Sequence, residues 1–324
     1  MKCLTVCVIS ALILSGTSGV AQQPADQPAV FRSGANLVAL NVTVIDGKRQ
    51  FVSGLTQGDF AVYEDGIPQQ LRFFEARQVP IDLIVLIDTS SSMRDKMSVV
   101  HEAAVGFLKT MRAGDRGAVV AFNDGVDVLQ TLTPDLPALE QAVRSTEAKG
   151  STSLHNALYI ALKQFGRGSK PEGDLRRQAI AVLSDGEDTS SLISFDDVLA
   201  LARKSGVSVY TIALHSKYSA GRNGLPPTQR YFSTADFSMK SLAQETGAQS
   251  FFPLDVSELK GIYASIAQEL ASQYSMAYSP VNGRTDGRYR RIVVRIADRP
   301  DLQLRTRSGY TAEAVRSAAS FNNY

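Results

Sequence analysis

An α/β fold of the doubly wound, Rossmann-like kind, inserted in a small β-sandwich formed by the two ends of the chain, is predicted by three observations in this 324-residue sequence. The middle of the chain alternates short, continuously apolar runs with amphipathic stretches of helical spacing. That is the pattern of a mostly parallel sheet covered by helices on both faces. The segments before and after it show two-residue alternation punctuated by Asp-Gly and Asn-Gly turns, as antiparallel strands do. Each flank holds about three strands, too few for a robust sheet alone, so the two are expected to combine.

Residues 1–21, MKCLTVCVISALILSGTSGVA, join Lys2 to an apolar run from Leu4 to Leu14 and end with Gly19 and Ala21 at the −3 and −1 positions of a cleavage site. This reads as a secretory signal peptide cut after Ala21, so the expected location is periplasmic or secreted. The apolar run is shorter than the roughly 18–20 residues of a spanning helix. No cysteine follows the small residues, as a lipid anchor would require, and no later segment reads as transmembrane. Cys3 and Cys7 both leave with the signal. A disulfide scaffold, a thiolate metal site and a cysteine nucleophile are thereby excluded. The formal net charge of +2 argues against a coat for nucleic acid, and a hydrophobic content of 44% is enough for a real core.

Residues 22–35 are Gln- and Pro-bearing and read as a linker. In the N-terminal flank, 36–79, Val38, Leu40, Val42 and Val44 share one strand face, with Ala39, Asn41 and Thr43 on the other. Asp46-Gly47 turns the chain and Phe51-Val52 begins its return. Strands are expected at Asp59–Glu64 and Gln70–Glu75, joined through Asp65-Gly66. The α/β unit spans 80–272. Its strands are read at Ile81–Ile87 (IDLIVLI), Ala118–Phe122, Val126–Leu129, Ala179–Leu183, Val207–Leu214 and Gln249–Phe252. Its helices are read at Val99–Met111, Leu136–Ser145, Leu154–Phe165, Phe195–Lys204, Met239–Glu245 and Val256–Ser272, with a polar insertion over 215–236. The C-terminal flank, 273–312, turns at Asn282-Gly283 and Asp286-Gly287, alternates through Ile292, Val294 and Ile296, and ends in a strand near Leu302–Thr306. Residues 313–324 are a tail.

The apolar strand ending at Ile87 runs into Asp88-Thr89-Ser90-Ser91-Ser92-Met93. In an open α/β sheet such a turn lies at the carboxyl ends of the strands, where ligands bind, although Asp and Ser there also serve as helix caps. Lys149-Gly150-Ser151-Thr152-Ser153 precedes a helix and offers another hydroxyl. Leu183-Ser184-Asp185-Gly186 ends a second central strand with another carboxylate. The expected topology brings all three segments to one sheet edge.

With those residues in place, the sequence resembles the von Willebrand factor type A domain with its metal-ion-dependent adhesion site. That pattern is Asp-x-Ser-x-Ser with a distant Thr and a distant Asp, here Asp88, Ser90, Ser92, Thr152 and Asp185. The likeness covers about residues 80–272. The flanking segments GLTQGDFAVYEDGIPQQLRFFE and YSMAYSPVNGRTDGRYRRIVVRI are similar to an exported VWFA-related family described from acidobacteria. The resemblance implies that Ser90, Ser92 and Thr152 bind a cation directly and that Asp88 and Asp185 act largely through water. Mg²⁺ is the default, with Mn²⁺ or Ca²⁺ as substitutes, since oxygen ligands select weakly among them. Neutral direct ligands leave the cation able to capture an Asp or Glu carboxylate from a protein partner.

Other candidates compete poorly. His101, His155 and His215 lack metal-ligand spacing, though His155 falls three residues after Thr152. A Ser92-His155-Asp185 hydrolase can be written down, but no Gly-x-Ser-x-Gly elbow follows a strand after the signal, and neither a Walker nor a dinucleotide glycine pattern occurs. Arg284, Arg288, Arg290, Arg291, Arg295, Arg299, Arg305 and Arg307 make the C-terminal flank basic. They read as a solvated strand face, with an anion-binding patch as the alternative. The expected function is cation-dependent, adhesion-type protein binding without catalysis. An envelope scaffold and, behind it, a metal-assisted hydrolase are the alternatives.

Overall fold

The computed structural model describes residues 37–76, 79–165, 176–185, 187–214, 233–297 and 299–312. The signal peptide, the linker, the tail, most of the 215–236 insertion and His215 lie outside the described residues.

The α/β part is a six-stranded sheet between two helical layers. Its strands are β5 (Ile81–Asp88), β6 (Arg116–Phe122), β7 (Val126–Thr133), β8 (Arg177–Ser184), β9 (Ser208–Ala213) and β10 (Ser250–Phe251). They are ordered β10-β9-β8-β5-β6-β7, all parallel except the edge strand β7, which is antiparallel to β6. The chain leaves β5 toward β6 and later returns to β8 on the other side of β5. The crevice beyond Asp88 is therefore where the strand order reverses, the place where such sheets bind ligands.

β5 is buried on both faces because its apolar residues serve two cores. Leu83, Val85 and Ile87 pack under α1 (Met97–Leu108), α2 (Leu136–Arg144) and α6 (Leu259–Ser272). Ile84 and Leu86 pack under α3 (Leu154–Gln164), α4 (Phe195–Ser205) and α5 (Thr234–Glu245). Each large aliphatic side chain buried in this way contributes about 1.5–3 kcal/mol.

The two flanks form one sandwich. Its first four-stranded sheet has the order β13-β1-β11-β4 and its second β14-β12-β2-β3. These strands are β1 (Val38–Ile45), β2 (Phe60–Glu64), β3 (Ile67–Gln69), β4 (Leu71–Glu75), β11 (Tyr274–Tyr278), β12 (Tyr289–Ile296), β13 (Gln303–Arg305) and β14 (Gly309–Thr311). Val38, Leu40, Tyr274 and Met276 from one sheet share a core with Phe60, Val62, Ile292 and Val294 from the other. β1 pairs with β11 and β13 in the first sheet and β2 pairs with β12 in the second, so each sheet mixes strands from both flanks.

Several boundaries differ from the sequence reading. The expected strand at Gln70–Glu75 is present as β4, but it lies beside β11 in the other sheet, and the hairpin partner of β2 is the preceding short strand β3. The return after Asp46-Gly47 amounts to one bridge, Ile45 with Phe51. α1 starts at Met97, after a 3-10 helix over Ser91–Lys96. α5 begins at Thr234, because Ser233 and Asp236 form a capping box there. β14 was not anticipated. Arg291 and Arg295 are exposed on β12 as the alternation predicts, but Arg290 is buried and pairs with Asp286.

Candidate metal centre

Asp88 ends β5 with no exposed surface. Its Oδ1 accepts a hydrogen bond from Ser90 N at 2.8 Å, and its Oδ2 accepts one from the Ser184 hydroxyl, at the end of β8, at 2.6 Å. Both carboxylate oxygens are thus oriented by the protein. Thr89 turns away from the crevice, its amide and hydroxyl both donating to Phe122 O at 2.8 and 3.0 Å. This ties the turn to the end of β6. The next residues tighten into the 3-10 helix, with Met93 fully buried beneath it. Ser90 and Ser92 place their hydroxyl oxygens 3.0 Å apart, and Ser92 Oγ donates to Asp185 Oδ1 at 2.7 Å. The other oxygen of Asp185 is ion-paired with Lys96 Nζ.

Thr152 comes from a separate loop, pinned to this turn by backbone bonds. Lys149 N donates to Thr89 O at 2.7 Å and Ser91 N donates to Gly150 O at 3.0 Å. Gly150 has φ +73°, a left-handed conformation that glycine adopts without strain. Asp124 supports the loop from below, its Oδ1 accepting from Ser151 N at 2.7 Å. Thr152 O accepts from Thr189 N and Ser190 N at 2.9 and 3.1 Å. Thr152 is 5% exposed, and its hydroxyl makes no hydrogen bond among the described residues.

Four supporting residues escaped the sequence reading: Lys96, Asp124, Ser184 and Thr189. Ser184 had a visible signal, since it ends a strand immediately before Asp185. Asp124 lies in an Asn-Asp-Gly turn after β6, which marks a loop without revealing what the carboxylate holds. Lys96 and Thr189 carried no signal.

Burial raises the pKa of Asp88 above the ordinary aspartate range. The bonds from Ser184 and Ser90 offset part of the rise, and the nearby Asp185 charge adds to it. Two carboxylates beside three hydroxyls form an all-oxygen donor set that fits a hard divalent cation. Lys96, resting on Asp185, shows that positive charge is accommodated here. Among the described residues no group of three or more His, Cys, Asp or Glu side chains is placed to hold a metal. Any cation at this edge therefore depends on the hydroxyls.

The Ser-His-Asp alternative does not assemble. Ser92 bonds directly to Asp185, whereas His155 Nδ1 lies 3.7 Å from Asp188 and its ring packs 5.9 Å from Phe195. His101 is spent on the Thr146 hydroxyl at 2.7 Å.

Comparison with known proteins adds four findings. A family model of the von Willebrand factor type A domain matches residues 82–246. A UPF0353 protein of Mycobacterium leprae is 25% identical over 206 residues, 58% of this chain and 60% of the relative, so the chain spans three fifths of that relative's length. Among solved structures, a von Willebrand factor type A protein from Catenulispora acidiphila aligns with a TM-score of 0.49 at 16% identity, covering 88% of this chain and 65% of that one. Proximal thread matrix protein 1 from the mussel byssus, with a zinc-occupied MIDAS motif, aligns with a TM-score of 0.46 at 17% identity, covering 62% of this chain and 50% of its own.

Proposed function

Because this chain belongs to the von Willebrand factor type A family, whose domains commonly bind other proteins, we propose that it is an exported, adhesion-type module that holds a partner through a divalent cation. The ligands are Ser90, Ser92 and Thr152, with Asp88 and Asp185 behind them, and Mg²⁺ is the default ion, replaceable by Mn²⁺ or Ca²⁺. The binding unit extends over 80–272 and is carried on the sandwich of 36–79 and 273–312. Residues 1–21 direct export through a signal peptide. Among the described residues no helix is long and apolar enough to cross a membrane.

One observation carries this reading: the Ser90 and Ser92 hydroxyls and the Asp88 and Asp185 carboxylates are linked in one hydrogen-bonded set at the strand-order reversal, with the Thr152 loop tied against them. When bound, the cation supplies a Lewis-acidic position open to an Asp or Glu carboxylate of the partner. Asp88, fixed by Ser90 N and Ser184, orients the turn. Asp185 aligns the Ser92 hydroxyl, and Thr152 offers a hydroxyl with no competing bond among the described residues. No reaction is assigned. His155, the histidine nearest in sequence to Thr152, is engaged with Asp188.

Adding millimolar Mn²⁺ or Mg²⁺ to the full chain is expected to raise its melting temperature by several degrees, as ligation of about 100 times Kd adds about 2.7 kcal/mol. Asp88→Ala is expected to abolish the shift and to lose a partner that wild type releases on chelation. A wild-type protein whose melting does not respond to either ion would overturn the reading.

A further inference from the structure

A cleft of about 710 Å³ lies between the sandwich and the end of the α/β sheet remote from Asp88. Its volume is typical of small-ligand sites, about 300–1,000 Å³. The floor is the outward face of β1 and β11, where Ala39 pairs with Ala277 and Asn41 with Ser275. Their chain neighbours Val38, Leu40 and Met276 point the other way, into the sandwich core. Further along β1, Thr43 touches α6 through Glu269, at 3.1 Å. At Ala39 and Ala277 the side chains are too small to close the gap.

Among the described residues the lining is charged in one sense only. Arg176, Arg177, Lys204, Arg284 and Arg307 contribute to it, and among the described residues no Asp or Glu does. Arg176 is paired with Asp82 at 2.7 Å, and Arg177 is oriented by Ser275 Oγ, Leu270 O and Gln273 O at 2.7–2.8 Å. Arg307 differs from these. Its guanidinium lies 5.5 Å from the centre of the Tyr310 ring, and its Nε is buried with no hydrogen-bond partner among the described residues. Nη1 lies beside Gly206, where an added Cβ would approach it to 3.4 Å. An arginine cannot relieve such burial by losing its proton, and a buried donor left unmatched is costly. Low-dielectric walls bearing one sign of charge concentrate counter-ions.

The geometry points to a second binding site: a cleft that takes a small organic anion, its carboxylate or phosphate head on the Arg307 guanidinium and its apolar body along Ala39, Ala277 and Tyr310. The site is independent of any cation at Asp88. Both head groups satisfy the same guanidinium fork, so the experiment separates them.

Isothermal titration calorimetry on the full chain, without divalent cation, tests the site with decanoate, decyl phosphate and neutral decanol, each below its aggregation limit. One-to-one binding of at least one anion and none of decanol is expected, and the anion that binds identifies the head group. Arg307→Met is expected to weaken binding at least tenfold. Ala39→Trp, which fills the cleft from an exposed strand position, is expected to do the same should Arg307→Met fail to fold. Asp88→Ala is expected to bind as wild type. The proposal is overturned if neither anion binds, if decanol binds equally well, or if affinity is unchanged in a cleft variant that keeps the wild-type circular dichroism spectrum.

Discussion

Lys96 places a cation of the chain's own on Asp185, one of the two carboxylates of the candidate metal centre. An ammonium and a divalent ion at this edge repel each other and draw on the same oxygens. Lys96→Met is therefore expected to tighten Mn²⁺ binding by about two- to fivefold, the equivalent of losing one partly exposed ion pair of up to about 1 kcal/mol, as read by calorimetric titration. Equal affinity in the two proteins would show that the ammonium moves aside without cost. Gly150 acts differently, through space. A Cβ there would meet Asp124 Oδ2 at 2.2 Å, at a φ of +73°. Gly150→Ala is expected to cost about 1–3 kcal/mol in urea unfolding and to weaken Mn²⁺ binding, because the loop it distorts carries Thr152. The five residues Asp88, Ser90, Ser92, Thr152 and Asp185 were legible as a set because their types and order are distinctive. Lys96 was not, since eight residues along a chain from Asp88 give no direction until the 3-10 helix turns it back.

Among the elements, β5 was the most legible and is the most constrained. Its apolar run reads directly as a strand buried on two sides, yet it begins with a charge. Asp82 is 3% exposed and is held by Arg116 and Arg176, each at 2.7 Å. Burial pushes its carboxyl upward, but the two guanidinium groups outweigh burial and leave its pKa below the usual aspartate value. With the folded pKa depressed, the stabilisation is complete above the unfolded value of about 3.9 and is lost as pH falls through the folded one. Asp82→Asn is expected to cost about 3 kcal/mol at pH 7. The gap between variant and wild type in urea melts should close as pH falls through the depressed pKa. A gap that persists unchanged at low pH would contradict this assignment. β3 and β14 were poorly legible because they are three residues long, and β4 was legible as a strand but not in its choice of sheet. A five-residue run such as Leu71–Glu75 fits either sheet until β11 is in place beside it.

At the scale of the whole molecule, a buried polar cluster joins the two layers of architecture. Glu269 on α6, 1% exposed, accepts from Tyr210 Oη at 2.9 Å and Thr43 Oγ1 at 3.1 Å and is ion-paired with Arg305 on β13. Gln273 donates to both Thr43 and Tyr210. These groups come from β1, β9, α6 and β13, so α/β sheet and sandwich are expected to unfold in a single transition. Tyr210→Phe leaves Glu269 short of one donor and is expected to lower stability by about 1–2 kcal/mol, with one transition preserved in calorimetry. Separate transitions for the two parts would show that the cluster does not couple them. The union of both flanks was legible from their strand number. The cluster was not, because Thr43 and Glu269 lie 226 residues apart and neither type announces a partner.

The path of the chain through β5 has a mechanical meaning. The strand leaves the sandwich side at Ile81 and ends at Asp88, in the candidate metal centre, with β6 and β8 bonded parallel to it on either side. Under the proposed function, a pull between a partner at that centre and the sandwich runs along the axis of β5 and loads both ladders in shear. Their bonds must then yield together and cannot open one at a time, so tension meets the molecule along its stiffest direction.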